Sequence, residues 1–216
     1  MNQTQTRMDV TLRPASTADL EDLLSISRSC FPDHFRWQSR YLIGRKYWKV
    51  VLQSKASQTL VLQDRTGVFA FGVLVLDLMM WESEREQRNG TALTKMFAVL
   101  CCPVPAVWTK LLKHGVLRLV DRRQLLRGAG PRSGERPAWA ELLAVLPRMH
   151  RQGFGAVLMS AFEREAVASQ RSVIEAHVDF ENTSSRRMCE RQGFTLVSSG
   201  RRGGCLYRKS LLLCSG

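Results

Sequence analysis

The segment Ala138-Trp139-Ala140-Glu141-Leu142-Leu143-Ala144-Val145-Leu146-Pro147-Arg148-Met149-His150-Arg151-Gln152-Gly153-Phe154-Gly155-Ala156-Val157-Leu158-Met159 decides the fold. An apolar run suited to a strand ends at Pro147. A polar, basic turn with two glycines follows, and from Ala156 apolar residues recur at helical spacing. A strand, a glycine turn and a helix N-terminus together make a device for holding an anion. The first turn of a helix has amides without carbonyl partners and carries the positive end of the dipole. Gly153 and Gly155 allow close backbone approach, and Arg148 and Arg151 add positive charge. The chemistry implied is binding of a phosphate or pyrophosphate.

Two phosphate motifs do not fit. G-x-G-x-x-G requires a small residue where Leu158 stands, and the Gly-Lys-Ser/Thr of a Walker A loop is missing. The run instead resembles the coenzyme A-binding motif of the GNAT superfamily of N-acetyltransferases. That motif reads Val-x-Pro, an Arg or Gln, two residues, then Gly-x-Gly or Gly-x-Ala. Val145, Pro147, Gly153 and Gly155 match its spacing, while His150 replaces the Arg or Gln. Two further stretches extend the resemblance. Leu12-Arg13-Pro14-Ala15-Ser16-Thr17-Ala18-Asp19-Leu20 resembles the superfamily's opening strand and first helix cap. Asn182, Ser185 and Met188-Cys189-Glu190-Arg191-Gln192-Gly193-Phe194 resemble its later motif, with Cys189 where a Tyr is usual.

The resemblance implies a single α/β domain over residues 1–216. It implies a mixed, mostly antiparallel sheet that splays near Val145 and carries helices on both faces. It also implies acetyl-CoA as acyl donor and acetylation of a primary amine. One feature departs from the family: the chain between the third strand and the central strand is too long. A basic helical insertion at about 82–136 accounts for it, with a helix over Val107–Arg127.

The rest of the pattern follows the same order. Val10–Arg13 reads as a strand, and a helix capped by Ser16 or Thr17 runs to about Cys30. A second helix spans roughly Arg36–Gln53. Strands at Thr59–Gln63 and Val68–Met80 flank the hairpin signal Asp64-Arg65-Thr66-Gly67. After the insertion come a strand at Trp139–Val145, a helix at Gly155–Ser169, a strand at Val173–Val178 and a helix at Thr183–Gln192. Strands at Phe194–Ser199 and Cys205–Leu212 end the series.

Composition narrows the function classes. The chain has 216 residues, 44% of them hydrophobic, enough for an ordinary core. No apolar run is long enough to span a bilayer, and the first residues lack the apolar core of a signal peptide. A cytoplasmic protein is expected. The six cysteines include no C-x-x-C pair and the four histidines no zinc spacing, so reduced thiols and no metal are expected. The net charge of +13 suits an acidic cofactor such as coenzyme A. Nucleic acid is not an expected partner, because few aromatics are interleaved with the basic residues.

The resemblance assigns roles to particular residues. His150, Arg151, Gln152, Gly153, Phe154, Gly155 and Ala156 would hold the pyrophosphate. The backbone of Leu143 and Val145 would align the pantetheine arm, with Asn182 fixing it or else capping the next helix. Glu141 would be the general base, directly or through water; the alternative is a strand Glu paired with an arginine. Cys189 would protonate the departing thiolate, or would be a buried small hydrophobe; a nucleophilic pair with His177 is a third reading. His150 would reach a phosphate, or point to solvent. Asp33, His34 and Phe35 would border the acceptor and suggest a polar one; this loop, the basic–aromatic second helix and the basic insertion together resemble GNAT-like proteins of bacterial surface-polysaccharide pathways, which implies a small amine such as an amino sugar or its nucleotide-linked form. A protein N-terminus or lysine is the rival acceptor, and a catalytically silent acyl-CoA-binding module is the rival outside enzymes. The basic helix would pack on the domain, cover an anionic acceptor, or touch an anionic membrane.

Overall fold

The computed structural model describes residues 9–31, 42–89, 136–200 and 204–212. Their strands form one seven-stranded sheet. The strands are β1 (Thr11–Pro14), β2 (Ser57–Asp64), β3 (Gly67–Val75), β4 (Ala138–Val145), β5 (Val173–Val178), β6 (Thr195–Gly200) and β7 (Gly204–Ser210). Their order is β1-β2-β3-β4-β5-β7-β6. The pairs β1/β2, β2/β3, β5/β7 and β6/β7 are antiparallel. Among the described residues five α-helices accompany them: α1 (Leu20–Cys30), α2 (Leu42–Gln53), α3 (Leu78–Asn89), α4 (Phe154–Ala168) and α5 (Thr183–Arg191). The result is the mixed α/β, mostly antiparallel open sheet that the sequence implies. Residues cluster in two compact units, Met1–Val75 with Ala140–Phe162, and Leu76–Trp139 with Glu163–Gly216.

In the first unit the β2–β3 hairpin is set by its turn. The Asp64 carboxylate accepts from the Thr66 amide at 2.7 Å and its hydroxyl at 2.6 Å, and Gly67 takes φ +122°. Only glycine adopts that conformation without strain. The register then slips: Gln63 faces Val68 but Leu62 faces Ala70, leaving Phe69 as an extra residue on β3. Such a bulge re-aims what it carries, and Phe69 supports the site described below. Leu23, Leu24 and Ile26 of α1 and Trp48 and Val51 of α2 are buried with this hairpin. Trp48 meets Phe71 edge-on at 4.8 Å, and its indole N–H donates to Ser27 Oγ at 3.3 Å. At the N-terminal end of α1 a capping box closes on Asp19. Its carboxylate takes two bonds from the Arg13 guanidinium, at 2.7 and 2.8 Å, and one from the Ser16 amide.

In the second unit β7 ties the helices to the sheet. Lys209 Nζ donates to Glu163 Oε2 of α4 and to the Gln192 carbonyl, both at 2.7 Å. The Tyr207 hydroxyl donates to Glu190 Oε1 of α5 at 2.9 Å. On the other face of β7, Arg208 pairs with the buried Glu175 of β5. The Gly193-Phe194 step has a local cause. Gly193 takes φ +80° just beyond α5, and the Phe194 amide closes on the Cys189 carbonyl at 3.0 Å while its ring is buried.

One expected element is corrected. The third strand stops at Val75, and residues 78–80, expected to continue it, open α3. Asp77 ends the strand by capping the helix. Its carboxylate accepts from the Met80 amide at 3.0 Å and its carbonyl from the Trp81 amide at 2.9 Å. Of the expected insertion, the structure describes only this helical start and the return at residues 136–137. The helix expected over Val107–Arg127, and the beginning of the second helix at Arg36, lie outside the described residues.

Candidate active site

The end of β4, the turn after it and the start of α4 form one local structure in the first unit. Leu146 leaves the strand by donating its amide to the Phe69 carbonyl at 2.9 Å. The Phe69 ring packs at 61° to Phe154, centroids 4.8 Å apart. The bulge residue of β3 therefore supports both ends of the turn. Between them Pro147–Met149 makes one 3₁₀ turn, which suits Pro147 because its position needs no amide hydrogen.

The backbone then becomes concave. Arg151 adopts φ +62° and Gly153 φ +86°. Left-handed residues alternating with ordinary ones turn successive amides towards one point, a geometry that binds anions. A left-handed arginine costs roughly 1–2 kcal/mol, and such strain is retained where it serves the site. A Cβ at Gly153 would meet no atom within 4 Å. Packing therefore does not require glycine there; the φ value does, and the open space admits a ligand. The Gly153 carbonyl takes the amides of Ala156 and Val157 at 2.9 and 3.1 Å. Phe154 and Gly155 open α4, so their amides have no carbonyl one turn earlier. The exposed Gln152 side chain turns back to the Arg148 carbonyl at 3.5 Å. Arg148 and Arg151 are exposed, and the charge of Arg148 helps hold the Asp64 carboxyl below its usual range, after the Thr66 hydrogen bonds.

The His150 side chain is exposed, and its ring also reaches back to the strand. Its Nε2 lies 2.8 Å from the carbonyl of Val145, five residues back. A carbonyl only accepts, so Nε2 carries the proton. The same carbonyl accepts from the Cys30 thiol at the end of α1, at 3.1 Å. Nothing in the sequence indicated that Cys30 reaches β4. Burial pushes its thiol up to about 11. Upstream on the strand, Glu141 and Leu143 are half-buried.

The remaining candidates lie in the second unit. Asn182 caps α5: its side-chain oxygen accepts from the Ser185 amide at 3.1 Å. Cys189 is buried in α5, and burial raises its thiol to about 11. A thiol that weak is a poor acid towards a leaving thiolate of pKa about 8.5. The nucleophilic pair with His177 does not form. Tyr207 reaches α5 from the sheet face shared with Ala176, and alternation puts His177 on the opposite face. His177 is exposed there and stands over Gly204, where a Cβ would come 2.7 Å from its Nε2. Asp33, His34 and Phe35 lie outside the described residues. Among the described residues, Cys30, Cys189 and Cys205 are free thiols, no group of His, Cys, Asp and Glu is placed to hold a metal, and no helix is long and apolar enough to cross a membrane.

Comparison with known proteins agrees with this geometry. The acetyltransferase (GNAT) family model matches residues 114–194, which contain β4, the turn, α4 and α5. A search of curated proteins finds no match. Among solved structures, NAA60 of Arabidopsis thaliana in complex with a bisubstrate analogue superposes with a TM-score of 0.60 at 13% identity, covering 94% of this chain and 99% of that one. A putative acetyltransferase from Salmonella typhimurium with its cofactor acetyl-CoA gives 0.57 at 15%, covering 96% of each chain. A ribosomal-protein alanine N-acetyltransferase from Escherichia coli gives 0.54 at 13%, also covering 96% of each. At these identities the likeness is one of fold. The matched segment contains the anion turn and the helix that follows it, and the described residues share the fold of these acetyltransferases.

Proposed function

We propose that this protein transfers an acetyl group from acetyl-CoA to the primary amine of a small polar acceptor, such as an amino sugar or its nucleotide-linked form. The observation that carries the donor half is the turn at Arg151–Gly155. Its concave backbone, open Gly153 and flanking arginines fit a pyrophosphate. The backbone of Leu143 and Val145 would run beside the pantetheine arm, and Glu141 on the same strand would be the base. In the reaction the amine nitrogen attacks the thioester carbon, the C–S bond breaks, and coenzyme A leaves as thiolate. The ammonium proton passes to Glu141, directly or through one water. The amides of the site, rather than Cys189, would stabilise negative charge as it develops.

The acceptor half rests on the loop containing Asp33, His34 and Phe35 and on the excess of basic residues, which favour a polar, anionic molecule over an apolar one. A protein N-terminus is the second reading, favoured by solved neighbours whose descriptions name a bisubstrate analogue and a ribosomal-protein alanine. Release of free coenzyme A, measured across amino sugars, a nucleotide-linked amino sugar and peptides with free N-termini, separates the two. Turnover confined to the peptides rejects the small acceptor. Absence of acetyl-CoA binding rejects the enzyme.

A further inference from the structure

Three elements meet at one atom of the first unit. The Val145 carbonyl, at the end of β4, receives the His150 Nε2–H at 2.8 Å and the Cys30 thiol at 3.1 Å. A carbonyl oxygen has two lone pairs, and these donors match that number. They come from different places: Cys30 from the last turn of α1, 115 residues earlier, and His150 from the turn itself. The neighbouring backbone is also tied down, since Leu146 donates to the Phe69 carbonyl. His150 is exposed, so no core packing holds its ring in place; the hydrogen bond does.

We propose that His150 is a positioning residue that clasps the anion turn to the end of β4 through the Val145 carbonyl, with Cys30 holding the same carbonyl from the α1 side. This rests on the acetyl-CoA reading above and deepens it. A phosphate cradle and an arm-aligning strand are useful only at a fixed distance and angle, because misplacement by an ångström costs catalysis more than binding. Five residues separate the strand end from Arg151's strained φ; the 3₁₀ turn at Pro147–Met149 and the Leu146 bond to Phe69 brace their first part, and the clasp ties their last residue directly to the strand.

The test compares wild type with His150→Ala and His150→Gln by amide hydrogen exchange, imidazole ¹⁵N spectroscopy and kinetics with acetyl-CoA. Exchange at the hydrogen-bonded amides that flank the turn, Met149, Ala156 and Val157, should rise about tenfold or more in His150→Ala. It should stay within about twofold of wild type in His150→Gln, whose amide N–H restores a donor. The imidazole of wild type should show its proton on Nε2. In kinetics His150→Ala should lower kcat about tenfold, with recovery in His150→Gln. Unchanged exchange in His150→Ala, or a proton on Nδ1 alone, overturns the clasp. So does a rise in KM for acetyl-CoA at unchanged kcat, the signature of a direct phosphate contact. If wild type neither binds nor uses acetyl-CoA, the functional reading falls, and the exchange and ¹⁵N results still decide the clasp.

Discussion

The Phe162 ring lies directly over the backbone of Gly72: a Cβ built on Gly72 would stand 2.4 Å from Phe162 Cζ and 3.0 Å from Cε1. Both residues belong to the first unit, where α4 crosses β3, and Phe162 is fully buried. The absence of a side chain at Gly72 is what lets the helix behind the anion turn sit close to the strand. Gly72→Ala should therefore destabilise by about 2 kcal/mol, as overpacking does, although removing a glycine from a strand usually helps. Adding Phe162→Leu should return part of the loss, and urea unfolding of the three variants measures the coupling. A neutral Gly72→Ala would mean that the ring yields freely.

The Asp19 carboxyl is lowered from 3.8 to about 2, first by the Arg13 hydrogen bonds and then by those of Ser16, against the opposing effect of burial. Because the folded value lies below the unfolded one, this stability is present above pH 3.8 and is lost as pH falls through about 2. Asp19→Asn should cost about 2 kcal/mol at pH 7. Near pH 2 the variant and wild type should converge. Denaturant unfolding at both pH values tests this, and an equal difference at the two would remove the ion pair as its cause.

Gly153 and Gly155 should separate folding from donor binding. Gly153→Ala meets no steric obstacle, so its stability cost should be the backbone term alone, about 1 kcal/mol at φ +86°. The rise in unfolding temperature given by saturating acetyl-CoA should fall by more than this predicts, because the methyl enters the space where the anion approaches. Gly155→Val, with its branched side chain at the start of α4, should abolish the rise. A full ligand shift in both variants would place the phosphate elsewhere.

Glu141→Gln keeps the size of the side chain and removes its basicity. The expected result is a fall in kcat of about 10²-fold or more at neutral pH, with acetyl-CoA affinity within about twofold of wild type. Steady-state kinetics with a calorimetric Kd distinguish the two quantities. Unchanged turnover assigns Glu141 to the strand's ion pairing.

Cys30 and Cys189 should be slow thiols. Burial raises both to about 11. At pH 8 each holds roughly a hundredth of the thiolate of an ordinary cysteine, and mass spectrometry of iodoacetamide labelling should show about that lag. Cys189→Ala should lower stability by about 1 kcal/mol while leaving kcat unchanged. A kcat loss in that variant, with the fold intact, would restore Cys189 as the proton donor.

The sequence by itself determined the order of elements and the place of the anion turn, because both are written in local chemistry. Pro147, Gly153 and the apolar period after Ala156 specify strand, turn and helix whatever surrounds them. Asp64 with Gly67, and Gly193 with Phe194, likewise specify a hairpin and a helix end within a few residues. The early end of the third strand was legible too, in Asp77, but an apolar run through Met80 outweighed one capping residue in the periodicity. What only tertiary structure decided are the meetings between distant segments. Cys30 and His150 share the Val145 carbonyl, Phe69 leaves its register to hold both ends of the turn, and Phe162 requires Gly72 to be bare. Burial also raises the Cys189 thiol, which looks the same in sequence as an ordinary one. Hydrogen-bond partners and desolvation depend on which atoms the folded chain brings within a few ångströms, and no spacing along the chain encodes that distance.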